Sequence, residues 1–162
     1  RPQNKIISCP CRLAQKIKLY EQFGGAVNSA VKVDKDADNR YGIIDGVKAA
    51  PGVYRIKRIV EKPTPASAPS DLAAIGAYIL PGDIFPILQE LKPGRGGELW
   101  LVEAIDTLIK KGYPVHACEI KNGHYYDTGN KLEYLKANVD FALTRPDLAP
   151  GLKAYLKKLK IN

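Results

Sequence analysis

The 162-residue chain contains no methionine, one tryptophan, three phenylalanines, two histidines and three cysteines. The cysteines, Cys9, Cys11 and Cys118, are odd in number and sparse, which argues against a disulfide framework in a reducing compartment. Cys9-Pro10-Cys11 has only His116 and His124 to draw on and no second cysteine pair, so a structural zinc site is excluded and the thiols read as incidental. No apolar stretch approaches the ~20 residues that span a bilayer. Residues 1–12 also lack the apolar centre of a signal peptide, so a cytoplasmic address and no membrane partner are expected. The aromatics fall in apolar patterns rather than in a basic-aromatic stripe, and no nucleic-acid partner is expected either. The loop Gly94-Arg95-Gly96-Gly97-Glu98 lacks the lysine and Ser/Thr spacing of a P-loop. The absence of any methionine is consistent with a partial chain.

What is present suits one compact domain or a piece of a larger one: apolar residues make up 45%, spread along the whole length and sufficient for a core. The formal net charge is +8, concentrated near the ends. That balance can attract phosphate-bearing ligands. The late lysines nevertheless alternate with Leu152, Leu156 and Leu159 at helical spacing, which reads as the wet side of an amphipathic helix.

Periodicity predicts a helix over 12–23, with Leu13, Ile17 and Tyr20 on one face and Gly24-Gly25 stopping it. A strand follows at 26–33, then a polar surface loop at 34–40. A short strand at 41–45 ends in a turn at Gly46, and a second β run covers 53–60. Residues 63–69 hold three prolines and read as a loop, and 73–80 as a buried strand interrupted by Gly76. Asp83 caps a helix with Pro86 in its first turn. Residues 98–111 are predicted helical, 114–120 a strand. Helices then run over 130–145, with Leu132, Leu135, Val139 and Ala142 on one stripe, and over 150–160. Alternating strands and helices imply an α/β layered fold.

Three constellations could carry chemistry. Glu61-Lys62-Pro63 closes a β run, and Pro63 biases Lys62 toward an extended conformation. Lysine there supplies a point charge for a phosphate and glutamate an acceptor for hydroxyls, or the two form an exposed ion pair. In Tyr125-Tyr126-Asp127-Thr128-Gly129-Asn130 the aspartate lies between a strand and a helix start. It could hold Mg²⁺ there, or Asp127 or Thr128 could simply cap the helix. Gly76 in Ile75-Gly76-Ala77-Tyr78 marks either close approach of a ligand to the backbone or room for a neighbouring helix, and Tyr41-Gly42 is ambiguous in the same way.

Each signal is common alone; their order is specific. Tyr41-Gly42-Ile43-Ile44-Asp45, Val60-Glu61-Lys62-Pro63, Ala68-Pro69-Ser70-Asp71-Leu72-Ala73, Ile75-Gly76-Ala77-Tyr78-Ile79-Leu80, Gly97-Glu98-Leu99 and Tyr126-Asp127-Thr128-Gly129-Asn130-Lys131 follow one another as in the sugar-nucleotide pyrophosphorylases. The detail resembles the bacterial UTP–glucose-1-phosphate uridylyltransferases. The resemblance covers residues 13–160. It implies an unplaced segment 1–12 and, over 13–162, the C-terminal part of a single nucleotidyltransferase domain with a Rossmann-like α/β/α sandwich around a mixed sheet.

That resemblance implies a transferase of carbohydrate metabolism that makes UDP-glucose and pyrophosphate from UTP and glucose 1-phosphate with Mg²⁺. Lys62 would hold the sugar phosphate, Glu61 the sugar hydroxyls, Tyr41, Gly42 and Gly76 the hexose, and Glu98 would support the pocket. Asp127 would be one of two metal-binding aspartates. Trp100 and Val102-Glu103 stand where the family carries a Gln and a Thr-Asp pair, which weakens any role for Glu103. The family's N-terminal glycine-rich nucleotide loop has no counterpart here, and Gly24-Gly25 follows a helix rather than a strand. The expectation is an acceptor half-site, inactive alone, with exposed faces that favour association, including as a homo-oligomer. The alternatives are a non-catalytic sugar-phosphate-binding or assembly module, and a pyrophosphorylase using another nucleotide.

Overall fold

A computed structural model describes residues 5–8, 12–34, 40–93, 97–120 and 123–159. Cys9 and Cys11, the middle of the 34–40 loop and Gly94-Arg95-Gly96 of the glycine-rich loop lie outside the described residues. In chain order the elements are β1 (Lys5–Ser8), α1 (Arg12–Phe23), β2 (Ala26–Lys32), β3 (Gly42–Ala50), β4 (Val53–Glu61), β5 (Leu72–Ile79), α2 (Ile84–Glu90), α3 (Leu101–Lys110), β6 (Val115–Glu119), β7 (Gly123–Tyr126), α4 (Lys131–Leu143) and α5 (Ala149–Lys158). The chain divides into two units, Cys9–Asn122 and a second made of Arg1–Ser8 with Gly123–Asn162.

The larger unit is an α/β structure built on one mixed sheet, whose pairing runs β2-β5-β3-β4-β6 and closes on itself. β2 and β6 are parallel; the other pairs are antiparallel. Alternation along the strands decides which helix covers which face. Ala26 and Ala30 of β2 and Val115 and Ala117 of β6 join Ile44, Ile56, Ile59, Leu72 and Ile105, so this face packs against α3. The residues that alternate with them, Val27 paired with His116 and Ser29 paired with Cys118, point to the opposite face. There Phe23 of α1 stacks on His116, with ring centroids 5.0 Å apart. Ile105 and Leu108 are fully buried, and burial of each such side chain contributes about 1.5–3 kcal/mol. A second cluster, Ile84, Ile87, Ala104 and Leu108, joins α2 to α3. Gly25, at φ 71°, is required where α1 enters β2, because a Cβ there would lie 2.0 Å from the Pro114 carbonyl oxygen.

Several sequence expectations change. Leu13, Ile17 and Tyr20 are exposed (55%, 43% and 44%), and the packed face of α1 is Lys16, Leu19 and Phe23 instead. Gly46 is no turn: β3 continues through it to Ala50 with a bulge at Asp45/Gly46, because its missing side chain admits the Arg55 carbonyl, 2.8 Å from where a Cβ would be. The helix expected from residue 98 begins at Leu101, since Trp100 is extended (φ −102°, ψ 120°) and offers no capping side chain. Asp83 sits at the N-cap of α2 but makes no capping bond; it accepts the Tyr113 hydroxyl proton instead.

In the smaller unit β1 pairs antiparallel with β7, from Lys5 against Tyr126 to Ser8 against Gly123. Tyr126 is buried and its hydroxyl donates to Asp140, tying β7 to α4. Burial, that bond and the nearby charges of Asp140 and Glu133 push the Tyr126 pKa up to about 12, so the phenol stays neutral. Asn130 caps α4: its Oδ1 accepts from the amides of Leu132 at 2.9 Å and Glu133 at 3.2 Å. The expected stripe on α4 is uneven, with Leu132 and Leu135 exposed, Val139 and Ala142 half-buried, and Ala137 the buried residue of the helix.

Candidate functional site

The β3–β4 ladder brings four of the proposed residues to one end. Gly42 pairs with Glu61, and the Lys62 amide donates to the Tyr41 carbonyl at 3.0 Å. A Cβ on Gly42 would lie 2.9 Å from Glu61 Oε2 and 2.9 Å from Ile59 Cγ2. Glycine is therefore what lets the Glu61 carboxylate lie across β3. Gly42 also pairs with Ala74 of β5, two residues before Gly76, which carries Gly76 to the same region. The Arg40 guanidinium carbon sits 5.5 Å from the Tyr41 ring centroid, a cation–π contact at the entrance to β3.

Lys62 does not take the extended conformation that Pro63 favours. Its φ is 45°, in the left-handed region, a conformation that costs roughly 1–3 kcal/mol and persists only where the surroundings over-determine it. Two anchors do so here: the Lys62 amide on Tyr41 and the burial of Pro63. Lys62 is exposed, and among the described residues no ion pair joins it to Glu61 or to any other carboxylate. The simple surface-pair alternative is therefore not realised. An exposed ammonium beside a carboxylate at a strand end can hold a phosphate while the carboxylate accepts from hydroxyls.

Tyr78 is a neighbour the sequence reading did not single out by role. Burial first, and then the Glu61 charge, raise its pKa above the ordinary 10.0, which keeps a neutral hydroxyl beside that carboxylate. Gly76 is exposed, with nothing within 4 Å of where a Cβ would stand. The neighbouring-helix explanation for Gly76 therefore fails, and its face is open. Glu98 is exposed in the irregular stretch leading into α3, and it lies in none of the described strands.

Asp127 belongs to the smaller unit, in the turn between β7 and α4. Its Oδ1 accepts the Gly129 amide at 3.0 Å, and a Cβ on Gly129 would crowd that oxygen at 3.1 Å. The helix cap is Asn130, not Asp127 or Thr128, so the carboxylate retains Oδ2 for another partner. As a hard oxygen donor it fits one ligand position of Mg²⁺. Among the described residues no group of three or more His, Cys, Asp or Glu forms a complete metal cluster.

A family model described as nucleotidyl transferase matches residues 2–143, a span that begins inside the segment unplaced from sequence. UTP–glucose-1-phosphate uridylyltransferase 2 of Streptococcus pyogenes serotype M3 is 43% identical over 146 residues, 90% of this chain and 48% of that protein. A solved UDP-glucose pyrophosphorylase complexed with UDP-glucose superposes with a TM-score of 0.81 at 37% identity, over 88% of this chain and 54% of that one. The UTP-bound UGPase from Acinetobacter baumannii gives 0.78 at 30% identity, over 91% and 50%. The chain spans about half the length of the curated relatives it matches. A match running through both units, with solved structures that share the fold over most of the chain, shows that it belongs to the nucleotidyl transferase family.

Proposed function

We propose that this chain carries the acceptor-sugar side of a UTP–glucose-1-phosphate uridylyltransferase. The observation that carries the reading is the meeting of Tyr41, Gly42, Glu61 and Lys62 at one end of the β3–β4 ladder, with no ion pair to Lys62 among the described residues. In this reading Lys62 binds the phosphate of glucose 1-phosphate and turns its oxygen toward the α-phosphorus of UTP. Glu61 accepts from the hexose hydroxyls, and the backbone at Gly42 and Gly76 lies against the ring beside Tyr41. Glu98 supports the pocket rim. The sugar phosphate oxygen attacks, the α–β bridging oxygen leaves with pyrophosphate, and UDP-glucose forms. Such a reaction rests on alignment and charge neutralisation rather than on a covalent protein nucleophile. Mg²⁺ bound with Asp127 as one ligand would neutralise phosphate charge. UTP is the proposed second substrate; base selection and the nucleotide phosphate grip fall to parts of the relatives that this chain does not span, and the chain alone is proposed to be inactive.

Titrating the 162-residue chain with glucose 1-phosphate tests the acceptor site. Lys62→Ala removes a charge-assisted contact worth about 1.5–3 kcal/mol, so affinity is expected to fall roughly tenfold to a hundredfold. Saturable binding that Lys62→Ala leaves unchanged would discard the assignment, and no binding at all would favour a non-catalytic assembly module.

A further inference from the structure

The β2–β5 ladder breaks at one place. Asn28 pairs with Tyr78 and the next residue, Ser29, pairs with Ile75, so Gly76 and Ala77 form a bulge without partners on β2. A bulge re-aims the chain and takes its peptide groups out of the ladder. Their carbonyls then need other donors. Each has one. Arg12 Nη1 of α1 donates to the Gly76 carbonyl at 3.1 Å, and Ser29 Oγ donates to the Ala77 carbonyl at 3.3 Å. Ala77 stands at φ 89°, a conformation an alanine keeps only when held. Among the described residues no carboxylate pairs with Arg12, and its side chain donates to the backbone instead. The far side of the bulge faces open space at Gly76, and Tyr78, just beyond it, lies within reach of the Glu61 charge.

We infer that Arg12 and Ser29 are positioning residues for the hexose: by pinning the two carbonyls released by the β5 bulge, they hold Gly76 open beside Glu61. Neither touches the ligand. The inference rests on the acceptor-site reading above, and it extends the site to a residue on α1 that lies 64 positions from Gly76 in sequence. It separates hexose recognition from phosphate recognition, which falls to Lys62. Loosening the bulge therefore weakens binding of the sugar phosphate without weakening binding of bare phosphate.

The test uses the 162-residue chain and two probes, glucose 1-phosphate and inorganic phosphate. Loss of one backbone-directed hydrogen bond is expected to weaken glucose 1-phosphate about three- to tenfold in Arg12→Gln and a little less in Ser29→Ala. Inorganic phosphate affinity stays within about twofold in both. Arg12→Lys keeps a donor at nearly the reach of arginine, which the shorter glutamine amide lacks, and recovers part of the loss, and Ser29→Ala carries the test if Arg12→Gln does not fold. The Gly76 and Ala77 amide resonances should shift in both variants. Equal weakening of the two probes by Arg12→Gln would show that Arg12 meets the phosphate directly and would overturn the inference, as would unchanged binding of both. Lys62→Ala separates the two levels. If it weakens binding of both probes while Arg12→Gln and Ser29→Ala change nothing, only this inference fails. If Lys62→Ala is silent, or the unsubstituted chain does not bind, the acceptor-site reading fails with it.

Discussion

Lys16 is the least expected side chain in the larger unit. It is 1% exposed on the face of α1 that packs against the sheet, and no carboxylate pairs with it among the described residues. Burial, and then the nearby Arg12 charge, lower its pKa from 10.5. The folded chain therefore holds this proton less readily than the unfolded chain does. Stability is reduced at neutral pH and rises as pH climbs from the folded pKa toward 10.5. Lys16→Met fills the same space without the charge and is expected to raise stability at pH 7 by about 1–3 kcal/mol. It should also flatten the alkaline rise, read as urea midpoints at pH 7 and pH 9. Sequence could not show this burial: Leu13, Ile17 and Tyr20 formed the more apolar stripe, yet the sheet receives the turn positions occupied by Lys16, Leu19 and Phe23. Lys62 was legible by type and position but not by conformation, because its φ of 45° depends on a bond to Tyr41 and on the burial of Pro63. Arg12 and Ser29 were not legible at all, since nothing local to either marks the distant carbonyls they meet.

At the scale of elements, boundaries followed from punctuation wherever a glycine or proline acted as a breaker. α1 ends before Gly24-Gly25, and β4 ends at Glu61 before Pro63. The same logic failed at Gly46, where glycine serves a bulge within β3. The glycine notch at Gly76 did locate a real irregularity, although its two-residue form needs the β2 register to be seen. In the smaller unit, α4 depends on its start: Asn130 accepts two amides that no other side chain at the cap serves. Asn130→Ala is expected to cost about 1 kcal/mol. The loss should fall first on the opening turn, as faster hydrogen exchange at Leu132 and Glu133 with little change in the β2–β6 amides.

For the whole molecule, the order of motifs carried more than any one of them. The family model matches residues 2–143, and the α/β fold expected from that order is the one observed. No helix among the described residues is long and apolar enough to cross a membrane. The chain spans about half the length of the relatives it matches. The decisive measurement is a uridylyltransferase assay with UTP, glucose 1-phosphate and Mg²⁺, run on this chain alone and on the chain joined to the N-terminal half of a family member. Turnover in the joined protein alone, abolished by Asp127→Ala, is the expected result. Turnover in neither would contradict the roles given to Lys62 and Asp127, and turnover in the short chain alone would contradict the division of the site into two halves.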